Sequence, residues 1–222
     1  STIGSCRIKP FLVYIGNDCC RENDLSIESM QLDVSQDANI KRMIETIVDK
    51  YGRLDCAVNN AGIEGDMKAT HECSEENWDR VININLKGVW LSMKHELEVM
   101  LPQGAGSIVN VSSIAGVVGL PQWPAYAAAK HGVIGLTKTA ALEYAKSGVR
   151  VNAVCPGAIE TAMTDRIIER APSMKDMYIQ LEPVGRMGKP EEVAKSIMWL
   201  LSEEASFVTG HAMHVDGGFL SF

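Results

Sequence analysis

Tyr126 and Lys130 stand four residues apart in Tyr126-Ala-Ala-Ala-Lys130, and Ser113 lies thirteen residues upstream in Asn110-Val-Ser-Ser113. On a helix, residues i and i+4 lie one above the other, so the phenol and the ammonium would share a face. A cation beside a phenol favours the phenolate and lowers the phenol's pKa. A nearby hydroxyl can hold a carbonyl or alcohol oxygen in place. These three groups predict a proton-transfer site for alcohol–ketone chemistry.

Such a site needs elements to position it, and the chain supplies them as β-rich runs alternating with helix-length segments. Ser29–Val34 reads as a strand ending near Asp33. Residues 37–51 place Ile40, Met43, Ile44, Ile47 and Val48 at helical spacing. Leu54–Val58 reads as a strand stopped by Asn59-Asn-Ala-Gly62. Ser74 is a good N-cap for a long helix running to about Met100, with Pro102 and Gly104 ending it. Residues 106–112 form a strand, residues 124–145 a helix stopped by Gly148, and residues 150–155 a strand closed by Pro156-Gly157. Residues 160–188 read as a polar insert around a short helix. Pro190 opens a helix through Leu201, and Ala212–Val215 is the last strand. Near-continuous apolar strands imply burial on both faces by helices, and strand–helix alternation gives a doubly wound parallel α/β sheet. Ligands bind such sheets beyond the carboxyl ends of the strands, where Asp33, Asn59, Ser113 and Pro156 all fall.

The chain has 222 residues, 46% apolar and 22% charged, as expected of one globular domain over residues 1–222. A net charge of −7 argues against a nucleic-acid surface. No apolar run approaches a membrane span of about 18 residues. The first residues lack a basic stretch followed by an apolar one, so a cytoplasmic protein is expected. Six cysteines without paired CxxC spacing predict reduced structural thiols and no metal site.

With these segments in order, the chain resembles the short-chain dehydrogenase/reductase family over about residues 28–222. Asn59-Asn-Ala-Gly62 resembles its NNAG turn, and Asn85, in Val81-Ile-Asn-Ile-Asn85, its helix asparagine. Ser113, Tyr126 and Lys130 match the rest of its catalytic tetrad in order and spacing. Pro156-Gly157-Ala-Ile159-Glu-Thr161 resembles the turn near the nicotinamide, and Val215-Asp-Gly-Gly218 the C-terminal signature. The resemblance implies a Rossmann-like, three-layer fold and hydride transfer between NAD(P)(H) and an alcohol or carbonyl carbon. Tyr126 would be the acid/base, Lys130 would lower its pKa and bind the nicotinamide ribose, and Ser113 would hydrogen-bond the reacting oxygen. Asn85 would hold a water linking Lys130 to solvent. Asp33 and Val34 would face the adenine, Asn60, Ala61 and Gly62 the adenosine ribose, and Pro156, Gly157, Ile159 and Thr161 the carboxamide end. Ile114 and Gln122 would join Ser113 and Tyr126 around a small alcohol or ketone. Residues 160–188, rich in Met, would form a substrate lid, and the assembly would be a homotetramer or homodimer.

One element has no match. The family opens with a strand and a glycine-rich turn, TGxxxGxG, whose glycines let the backbone approach the pyrophosphate at a helix N-terminus. Ser1–Gly4 resembles only the tail of that turn, and Phe11–Ile15 a second strand ending near Asp18. Six residues separate Gly4 from Phe11, whereas a crossover needs roughly ten or more. Residues 1–27 are therefore atypical, and the fold is expected without its first strand and helix. Either residues precede Ser1 that this sequence does not carry, or the nucleotide cradle is incomplete. The second case would make the protein a cofactor-deficient, catalytically silent scaffold. An acid at Asp18 would repel a 2′-phosphate, which favours NAD while leaving NADP open.

Overall fold

The computed structural model describes residues 29–221. The partial glycine turn, the run 11–15 and Asp18 lie outside them. Four parallel strands form the sheet in the order of the chain: β1 (Cys56–Asn59), β2 (Gly106–Val111), β3 (Val149–Pro156) and β4 (Ala212–Val215). Their register aligns Asn59 with Asn110 and Val111 with Val154, so the carboxyl ends of the strands open on one edge.

Alternation along the strands sorts the core into two layers. Ile108, Val149 and Val151 point to one face. There they meet α1 (Asp37–Tyr51), α3 (Gly88–Gln103) and α4 (Pro124–Tyr144). Val109 and Val154 point the other way, onto Val193, Leu200 and Leu201 of α7 (Pro190–Leu201). The result is a three-layer, Rossmann-like α/β fold. Burying both faces removes apolar area worth roughly 25 cal/mol per Å² from water.

Three expectations change. Ser29–Val34 is not a strand: Ser29 is a bridge residue, Met30–Asp33 has no strand partner among the described residues, and Val34–Ser35 turns. An apolar pattern states which way side chains face, but a strand also needs a neighbour. The long helix is interrupted. α2 (Glu75–Ile82), capped by the Ser74 hydroxyl on the Asn77 N–H, runs into a π-helical turn at Asn83–Lys87 before α3. The insert holds two helices, α5 (Ala162–Arg170) and α6 (Ser173–Leu181), which pack on each other. Ile167 is the one fully buried residue of α5, and α6 has none.

Candidate active site

β2 ends at Val111 and delivers Ser112 and Ser113 to the sheet edge. A 3-10 turn, Ile114–Gly116, follows, capped by the Ser113 hydroxyl accepting from the Ala115 N–H at 3.2 Å. This turn is pressed against α4. A Cβ at Gly116 would lie 2.7 Å from the Lys130 carbonyl oxygen, so only glycine permits the approach. Ser112 completes the joint by donating to the same carbonyl at 2.9 Å.

α4 brings the next two groups. Pro124 starts it, which suits a position whose N–H has no helical partner. Tyr126 lies in the first turn, its ring packed edge-on against Trp123 at 6.2 Å. Its phenol faces the Ser113 hydroxyl. Lys130 is 4% exposed, with Nζ 5.6 Å from the Tyr126 ring centroid and donating to the Val111 carbonyl at 2.8 Å. Burial lowers the Lys130 pKa to about 8.

Asn85 is the fourth member, fully buried in the π-helical turn. Both side-chain polar atoms are engaged by one residue: Oδ1 accepts from the Ile63 N–H and Nδ2 donates to the Ile63 carbonyl, each at 2.8 Å. The side chain is a strut for the turn after β1, and each of its two polar atoms keeps one further hydrogen-bonding position. Gly62 sits between the strut and the cation. A Cβ there would lie 3.4 Å from Asn85 Oδ1 and 3.7 Å from Lys130 Nζ. The four residues thus surround one point at the carboxyl edge of the sheet.

The phenol does not behave as the spacing predicts. Its pKa is raised rather than lowered, chiefly by burial. The Ser113 hydrogen bond acts the other way, and the charges of Tyr178 and Glu64 raise it further. Desolvation of a buried phenolate outweighs a cation that lies over the ring.

The remaining expected residues fall around this point in different ways. Asn60 is exposed, and Ala61 and Gly62 are half-buried in the turn after β1. Asp33 is exposed and accepts the Ser35 N–H at 2.9 Å, which holds its carboxyl below the usual range. The Val34 side chain is buried against Gly88 of α3. Pro156 and Gly157 follow β3 at the same edge, while the Ile159 side chain turns inward to the α7 layer. Thr161 caps α5, and Thr164 donates to the Ile159 carbonyl at 2.7 Å. Ile114 is half-buried. Gln122 is exposed with φ 68°, the one left-handed residue other than glycine among those described, and its carbonyl accepts the Lys68 N–H at 2.9 Å.

The Asn59–Gly62 turn, the Ser113–Tyr126–Lys130 cluster and the Pro156–Thr161 turn are a fit for the nicotinamide half of a dinucleotide. Gly62 leaves its cradle free of a side chain, and Lys130 places a cation beside it. A cavity of about 300 Å³ is lined by Gly157 and Ile159 of the Pro156–Thr161 turn together with Glu182, Val215 and Asp216, and by none of Ser113, Tyr126 and Lys130.

Sequence reasoning missed four contributors. Glu182 is buried and its Oε1 accepts the Ala158 N–H at 2.7 Å, tying the far end of the insert to the Pro156–Thr161 turn. Glu64 is buried and receives both Nε and Nη2 of Arg166 on α5, at 3.1 and 3.0 Å. Glu96 of α3 is 3% exposed and accepts from Asn59 Nδ2 at 3.1 Å. Those partners stand 102, 37 and 24 residues apart, too far for any local pattern to pair them.

The family model described as "Enoyl-(Acyl carrier protein) reductase" matches residues 18–220. The 3-oxoacyl-[acyl-carrier-protein] reductase FabG of Thermotoga maritima is 47% identical over 194 residues, covering 87% of this chain and 77% of that protein. The cyclohexanol dehydrogenase of Acinetobacter sp. strain SE19 is also 47% identical, over 82% of this chain and 70% of its own. Among solved structures, ElxO with NADP bound superposes with a TM-score of 0.83 at 40% identity, covering 88% of this chain and 79% of that one.

Proposed function

The chain belongs to the short-chain dehydrogenase/reductase family, and we propose that within it the protein interconverts a secondary alcohol and a ketone with Tyr126 as acid/base. The observation that carries this reading is the approach of the Ser113 hydroxyl to the half-buried Tyr126 phenol, beside the buried Lys130 ammonium. A nicotinamide dinucleotide, when bound, supplies or accepts the hydride. In oxidation the ionised Tyr126 takes the proton of the substrate hydroxyl; in reduction the phenol returns a proton to the carbonyl oxygen. The Ser113 hydroxyl holds that oxygen, and its hydrogen bond strengthens as negative charge develops there. Lys130, with a pKa near 8, can exchange a proton with solvent at working pH and resupply the phenol.

Asn60, Ala61, Gly62, Lys130, Gly157, Ile159 and Thr161 would hold the cofactor, with Ile114 and Gln122 beside the substrate. Both NAD(H) and NADP(H) are compatible with these residues. The NADP complex of ElxO favours testing NADP(H) first, against the sequence-based preference for NAD. FabG and cyclohexanol dehydrogenase name substrates as different as a carrier-bound 3-oxoacyl chain and a cyclic alcohol. The substrate is therefore proposed only as a ketone or secondary alcohol. The silent-scaffold reading is not favoured, because all four tetrad residues are assembled. A homotetramer or homodimer is proposed on family likeness.

The test is the absorbance of NADH and NADPH against a panel of cyclic ketones and 3-oxoacyl thioesters. Turnover with one cofactor–ketone pair is expected. Tight cofactor binding without turnover on any ketone or alcohol would overturn the reading.

A further inference from the structure

Glu64 and Arg166 pair directly and stand on two elements of different firmness. Glu64 stands on a braced loop. Gly65 next to it is left-handed and so close to α2 that a Cβ would meet Val81 at 2.6 Å. The Asp66 N–H is held by Asn77 Oδ1 at 2.9 Å, and Arg80 bonds both Asp66 and Asn77. Arg166 stands on α5, which buries one residue fully and packs chiefly on α6. Few apolar contacts therefore hold the 160–188 insert, and directional ties must set where it rests.

The tie is specific. The guanidinium grips the carboxylate through two nitrogens, and Arg170 approaches the same carboxylate at 3.9 Å. Glu64 is 9% exposed while Arg166 is 46% exposed, so the carboxylate is fixed and the arginine can leave to solvent. At its start α5 is fixed to the Pro156–Thr161 turn by the Thr161–Thr164 capping box.

We propose that Glu64 and Arg166 are a positioning pair that latches the insert shut over the Ser113–Tyr126 site, with the arginine shielding the acid/base from the Glu64 charge. The proposal rests on the dehydrogenase reading above. The groups facing Tyr126 are Ser113 after β2, Lys130 on its own helix, Tyr178 on α6 and Glu64 after β1. Those facing Glu64 are Arg166 and Arg170. The Glu64 anion raises the phenol's pKa, and its own carboxyl is held below the usual range by Arg166.

Two variants that break the same ion pair should therefore shift the pH profile in opposite directions. In Glu64→Gln the acid limb of kcat/KM for alcohol oxidation should move to lower pH. In Arg166→Gln, which bares the anion, it should move to higher pH, each by up to about one unit. Both should raise the substrate KM about tenfold with cofactor Kd unchanged. The double variant should be no worse than either single one. Arg166→Lys should recover part of the loss. Shifts in the same direction, no shift, or additive losses would overturn the proposal. Hydrogen exchange keeps it testable without turnover: α5 amides should exchange faster in both variants than in the parent protein. Unchanged exchange refutes the latch, whereas faster exchange in a protein that turns over no alcohol or ketone supports the latch and refutes the dehydrogenase reading instead.

Discussion

At the residue scale the phenol of Tyr126 is the proposed acid/base, and its neighbours define what its loss would do. Tyr126→Phe removes the phenol proton beside Ser113 and leaves the ring packed on Trp123. Turnover should fall by roughly 10²–10⁴-fold, as for loss of an acid/base catalyst, while cofactor titration by fluorescence stays unchanged. The grouping of Ser113, Tyr126 and Lys130 was legible in the sequence because they sit at short, fixed offsets on two elements. What sits around it was not legible in the same way. Spacing put Lys130 beside the phenol but could not weigh burial against charge, and burial decides the direction of the Tyr126 pKa. Glu64 was silent as well, because its arginine is 102 residues away.

At the element scale, α1, the strand after it, α4 and α7 were legible from apolar patterning and from the Pro, Asn and Gly residues that start or stop them. The π-helical turn at Asn83–Lys87 was not, because α-helix and π-helix share the same local composition and differ only in which carbonyl each N–H finds. Its effect is to bury Asn85 at the cleft. The strand–α4 joint is a place where a small change should matter. Gly116→Ala should destabilise the protein by about 1–3 kcal/mol and lower activity, because the new methyl would push the Ser113 turn away from Lys130. Thermal denaturation and kcat measured together check this. A second joint lies under β1 and β2, where Asn59 donates to both Asn110 and Glu96, and Asn110 to Thr137 of α4. Burial raises the Glu96 pKa to about 7. The folded state then holds a proton that the unfolded chain releases above its ordinary value of 4.5. Stability contributed by the neutral acid is complete below about 4.5 and declines as pH rises to about 7, by on the order of 3 kcal/mol. In Glu96→Gln that decline should vanish from melting curves taken between pH 5 and 8.

At the scale of the whole molecule, a parallel sheet covered on both faces is what lets four distant segments meet at one edge. Among the described residues no helix is long and apolar enough to cross a membrane. The order of motifs along the chain was enough to anticipate this architecture, because strands that follow one another here also lie side by side. Register, and the firmness of one layer relative to another, needed the assembled molecule.

Cys155 shows what that layering entails. It lies in β3 with no exposed surface, close to Ser112 and Lys130, and burial pushes its thiol pKa up. An alkylating reagent can reach this sulfur only when the sheet parts. Its labelling rate is therefore a clock for opening of the floor under the reaction centre, read in the unmutated protein by mass spectrometry. Among the described cysteines, Cys73, half-buried just before α2, should be labelled ahead of Cys155. A bound dinucleotide should slow the clock at Cys155 and leave Cys73 untouched.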